Sequence, residues 1–76
     1  MSLIQAPQGE SITVVRVAAD EKTRKHLQDL GIMSGAQLTP LSFSDGSMIV
    51  RVRESRIAVN RDIAENIIVR KSFVFV

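Results

Sequence analysis

His26 is the only histidine in the 76 residues and cysteine is absent, so acid–base, nucleophilic and metal chemistry have few side chains to draw on. A metal site would have to join His26 to Asp29 and Glu21, or to more distant carboxylates, without a thiolate. The competing reading of His26 is a solvated residue beside Leu27 on a helix. Serines are numerous, yet no local signature sets one beside the lone histidine as its base. Gly9, Gly31, Gly35 and Gly46 stand apart from one another, and none leads into the glycine-lysine arrangement of a phosphate-binding loop. The expectation is a non-enzyme with no metal and no cofactor.

Binding is the remaining class of function. Arg51, Arg53, Arg56, Arg61, Arg70 and Lys71 could form one basic surface for nucleic acid, although the formal net charge is only +2. Single-strand sites usually add aromatic stacking platforms. This chain has no Trp or Tyr, and two of its three phenylalanines are Phe73 and Phe75. With Glu54, Asp62 and Glu65 nearby, the bland alternative is a solvated strand face, and it carries more weight. The lack of aromatics also argues against a proline-rich peptide groove. Protein binding is left, and Leu27, Leu30, Ile32, Met33 and Ser34 are the candidate residues for it. Leucines at such positions are more often core than interface, whereas Met33 lies between two glycines and is an adaptable contact.

The element that must position these residues is a helix over about 21–30. Asp20 can cap it, Glu21 suits its first turn, and Leu27 and Leu30 lie one turn apart. Gly31 ends it in a left-handed conformation, and Ile32 falls where a Schellman cap places an apolar contact back to Leu27. The apolar stripe of Thr23, Leu27 and Leu30, helped by Ile32, is too thin for a bundle and suits a helix lying on a sheet. Gly35 then opens a strand.

Several short strands surround that helix. Ser11–Val17 is rich in β-branched residues, and its alternation changes phase between Val14 and Val15, which predicts a bulge or bend. Ala36–Phe43 is a second strand in which Pro40 marks an edge or a bulge. Ser44-Asp45-Gly46-Ser47 predicts a tight turn into Met48–Arg53, and Glu54-Ser55 a second turn into Arg56–Val59. Asn60 can cap a helical turn over 61–65, with Asn66 taking the left-handed conformation that ends it, and Ile67–Lys71 is the last strand. About five short strands in one domain over residues 1–76 make a mainly β chain, a small barrel, since closure removes exposed edges. Such a domain buries roughly 60% of its unfolded surface. Without disulfides, it depends on packed Val, Ile and Leu.

Phe73-Val74-Phe75-Val76 carries no charge. It either continues the last strand, with Phe73 and Phe75 on one face, or offers an edge for self-association. The residues Met1 to Pro7 show neither a basic n-region nor a long apolar run, so direct membrane insertion is not expected and a cytoplasmic location is.

The ordered set Gly9-Glu10, Val15-Arg16-Val17, Leu27-x-x-Leu30-Gly31-Ile32-x-x-Gly35, Arg56-Ile57-Ala58-Val59 and Ala64-x-x-Ile67-x-Val69 resembles the ferrous iron transport protein A (FeoA) family over about residues 3–70. The resemblance implies an SH3-like barrel and a cytoplasmic accessory role in ferrous iron uptake beside the membrane transporter FeoB, whose cytoplasmic part carries a GTP-binding domain. Similar barrels form a C-terminal domain in iron-dependent repressors, which keeps a repressor-type or nucleic-acid-binding module as the alternative. Two departures stand out: Ser34 replaces the proline that commonly precedes the second glycine, and Ser44–Ser47 replaces a Gly-Pro-containing turn.

Overall fold

Asp20 starts the one long helix, α1 (Glu21–Asp29), by accepting the Thr23 N–H on its side chain at 3.0 Å. The helix stops at Leu30 through a Schellman motif. Gly31 N–H donates to the Gln28 carbonyl at 2.9 Å, and Ile32 N–H reaches back to the Leu27 carbonyl at 2.8 Å. Gly31 has φ +93, and a Cβ there would stand 3.1 Å from Val52 Cγ1, so both the turn and the close approach favour glycine. Leu27 and Ile32 are buried. Leu30, expected on the apolar stripe, is 39% exposed: it is the C-cap at the open end of the helix and lies about 60° round the axis from Leu27.

The computed structural model describes residues 1–72, in which five strands form one antiparallel sheet in the order β4-β3-β2-β1-β5. These are β1 (Ile12–Val17), β2 (Gln37–Ser44), β3 (Ser47–Val52), β4 (Ser55–Asn60) and β5 (Ile67–Lys71). The result is a small SH3-like barrel, as the sequence predicts. The Phe73–Val76 segment, and with it the choice between strand continuation and self-association, lies outside the described residues.

β1 bends where its pattern changes phase, with a register shift against β5 between Val14 and Arg16 that leaves Val15 exposed. Pro40 marks a bulge rather than an edge, because β2 is central in the sheet and shifts register against β3 between Pro40 and Ser42. Its missing N–H is tolerated because the β1–β2 ladder covers only Ile12–Leu38 and Thr13–Gln37. Asp45 (φ +53) and Gly46 (φ +76) form the tight turn between β2 and β3, both in the left-handed region that a two-residue hairpin needs.

Two local expectations need correction. The β3–β4 turn is Arg53-Glu54 instead of Glu54-Ser55, since Ser55 already pairs with Val52, and Arg53 takes φ +58. Asn66 is not left-handed but has φ −100, ψ 3. It ends α2 (Arg61–Glu65) by donating its side-chain amide to the Asp62 carbonyl at 3.0 Å, which removes the need for a positive φ.

The seam between the outer strands is packed and not laddered. Among the described residues β4 and β5 do not pair; α2 spans the gap and a 3₁₀ turn, Leu3–Gln5, packs against α2 and β5. Leu3 and Ala64 are fully buried there, beside a core that includes Ile12, Val14, Leu38, Val50, Ile67 and Val69. Each such aliphatic side chain contributes about 1.5–3 kcal/mol by leaving water. The outer edge of β5 is met by Met1 and Ser2, with a bridge from Ser2 to Ile68 and the Val69 N–H donating to the Met1 carbonyl at 2.8 Å.

Leu27→Ala is therefore expected to cost about 2–4 kcal/mol in urea denaturation, whereas Leu30→Ala stays within about 1 kcal/mol of the parent chain. Equal losses at the two positions would contradict this division. The Thr23 side chain and backbone N–H hold the exposed Asp20 carboxyl below its usual range. The unfolded chain thus takes up the proton first as pH falls. The stabilisation from this cap is complete above the ordinary carboxylate range and is lost as pH drops through the folded-state value. Asp20→Asn, which can still cap, should flatten that acid limb in a stability-against-pH series.

Candidate functional site

The segment after α1 is fixed by backbone hydrogen bonds at each step. Ala36 N–H donates to the Met33 carbonyl at 3.0 Å, which closes a four-residue turn with Ser34 and Gly35 at its centre, and Gly35 has φ +87. A positive φ at the third position is the mark of a type II turn, whose second position favours proline. Ser34 occupies that second position. The turn is tied to β1 by Gly35 N–H to the Val14 carbonyl and Val14 N–H to the Ala36 carbonyl, both 2.8 Å. Met33 and Ser34 are thus exposed residues on a held backbone.

Met33 and Ser34 stand between two depressions. One, of about 690 Å³, runs between this turn, the start of β2 and the end of β3, with Arg51 and Arg53 in its wall. The other, about 300 Å³, lies between the turn, the end of β1 and α1, and includes Val17, Arg24 and Gln28. Of the five residues proposed from sequence for partner binding, Met33, Ser34 and Leu30 are exposed, while Leu27 and Ile32 are core and hold the turn from beneath. Gly31 and Gly35 shape the segment at its two ends, whereas Gly46 and Asn66 serve turns elsewhere in the fold.

The basic residues divide. Arg51 faces Thr39 on one side and Arg56 on the other, so two guanidinium-bearing side chains sit directly across a strand pair. Like charges in that position repel. Arg61 is on α2 and pairs with Glu65 at 3.1 Å; Arg70 and Lys71 are on β5, with β1 and β2 lying between that strand and β3. A single surface holding all six therefore does not form. Sequence reasoning missed the roles of Ser11, Gln37 and Thr39 in the larger groove. The alternation of Gln37 and Thr39 around buried Leu38 was the available signal. Among the described residues no three His, Asp or Glu side chains converge as metal ligands, and no helix is long and apolar enough to cross a membrane.

Residues 1–71 match the family model of the FeoA domain. The chain belongs to the FeoA family. The solved structures similar to this FeoA-family chain include the FeoA protein from Chlorobium tepidum, at 32% identity and a TM-score of 0.86 over 93% of this chain and 70% of that one. A second, an iron uptake regulatory protein (FeoA), shares 28% identity at a TM-score of 0.83, covering 95% and 96% of the two chains. ScaR with bound Zn²⁺ shares 22% identity and a TM-score of 0.83 over 95% of this chain but 37% of its own length, a likeness of fold. Comparison with curated proteins gives no match.

The turn geometry also explains the departure at Ser34. Proline suits the second position of a type II turn, and the Ser34 N–H makes no backbone hydrogen bond among the described residues. Ser34→Pro is expected to stabilise the domain by about 0.4–1 kcal/mol, mostly by restricting the unfolded chain. A loss of stability in thermal or urea unfolding would show that the turn is of another type.

Proposed function

We propose that this chain is a small cytoplasmic accessory protein of ferrous iron uptake that acts by binding the cytoplasmic part of the membrane transporter FeoB. Membership of the FeoA family supplies the link to iron transport. The observation that carries a binding role is Met33: it is 36% exposed, stands between two depressions, and sits on a turn locked to β1 by two backbone hydrogen bonds. An exposed thioether on a rigid support is an adaptable apolar contact whose backbone ordering cost is already met by the fold. The same turn lacks the residue types of a catalytic or phosphate-binding centre. Nucleotide chemistry in this reading belongs to the partner.

Met33→Asp tests the reading. The variant should keep the parent's thermal unfolding midpoint, because Met33 is outside the core, and should lose most of its capture of the transporter's purified cytoplasmic region. Undiminished capture would remove Met33 from the interface.

A further inference from the structure

We propose that the groove between the Met33–Ala36 turn and the Arg51–Arg53 end of β3 receives an extended acidic segment of the partner protein. This rests on the reading of the chain as a protein-binding accessory and names the chemistry that it recognises.

The groove has one sign of charge. Arg51 and Arg53 line it, and no Asp or Glu does. The ion pairs found among the described residues are Lys25–Glu21 and Arg61–Glu65, so neither groove arginine is neutralised by a described residue. Arg51 also lies directly across from Arg56, an arrangement that disfavours the folded state until an anion comes between or beside the two. Arg53 is held at φ +58, where a residue with a side chain is seldom found. The fold thus keeps two unneutralised arginines at one rim, one of them strained and the other repelled.

The remaining lining suits a peptide. Ser11, Ser34, Gln37 and Thr39, residues with hydroxyl and amide groups, also line the groove. Thr39 is the register partner of Arg51, so donors from β2 and β3 lie in one row across the sheet. Arginine takes carboxylates through paired charge-assisted hydrogen bonds. A volume of about 690 Å³ is far more than one carboxylate occupies and lies within the range of sites that enclose several groups of a ligand. Among the described residues no aromatic side chain lines the groove, and Phe43 lies outside it, so they supply no stacking platform of the kind a single-stranded nucleic-acid site uses.

The test uses the whole chain, isotope-labelled, and three probes: a short synthetic peptide of alternating glutamate and serine, its glutamine counterpart, and a short oligothymidylate. The glutamate peptide should move the amide resonances of Ser34, Gly35, Thr39, Val52 and Arg53, the glutamine peptide should not, and Arg51→Glu with Arg53→Glu should weaken binding by about tenfold or more. Unperturbed resonances elsewhere in that variant confirm that it folds. No response to the glutamate peptide, an equal response to the glutamine peptide, or tighter binding of the oligothymidylate overturns the inference. Capture of the transporter's cytoplasmic region separates it from the reading beneath it. If the double arginine variant is captured as well as the parent, the acidic segment falls and the accessory role stands. If the parent binds the glutamate peptide but is not captured, the accessory role falls and the groove's preference stands.

Discussion

One backbone hydrogen bond, from the Ile32 N–H to the Leu27 carbonyl, decides where the rest of the exposed architecture goes. It turns the chain back on the end of α1, puts Gly31 against Val52, and sends Ile32 into the core beside Leu27. The next residues have no freedom left, because Gly35 and Ala36 are taken up by β1. Met33 is exposed as a consequence of being the point where the chain passes from one constraint to the other. A solvent-facing apolar side chain on a floppy loop would be unremarkable; one clamped on both sides is a prepared surface.

Features set by neighbours along the chain were legible beforehand. The Asp20 cap, the glycine stop, the phase change in β1, the Asp45-Gly46 hairpin and the bounds of α2 and β5 all follow from backbone preferences of a few consecutive residues. Leu30 misleads for a reason of the same kind. Helical spacing puts it near the stripe, but Leu30 keeps a helical backbone (φ −84, ψ −4) at the open end of the helix, and the chain turns into the core only at Gly31 and Ile32. Asn66 carries a residue type suited to a left-handed turn, yet its side chain satisfies the helix end by another route.

Features set by cross-strand register were not legible. Nothing in the sequence says that Arg51 meets both Thr39 and Arg56, or that Arg61 and Arg70 belong to other parts of the surface. The same holds for the 3₁₀ turn at Leu3, which has no periodic pattern and forms because the gap beside α2 and β5 has to be filled. The candidate site combines both kinds of information. Its turn was readable as two glycines at a fixed spacing, while its basic wall depended on which strand end the turn would face.

The treatment of the two sheet edges has a bearing on assembly. Residues 1 and 2 occupy the middle of the β5 edge, and its end carries Arg70 and Lys71, while the β4 edge is left without a neighbouring strand among the described residues. A molecule with two open edges can stack without limit, each copy passing the ladder on to the next. With one open edge, the pairing of two copies uses up what both have to offer and closes about a two-fold axis. Among the described residues, strand pairing through the β4 edge therefore ends with two copies, a limit set by topology.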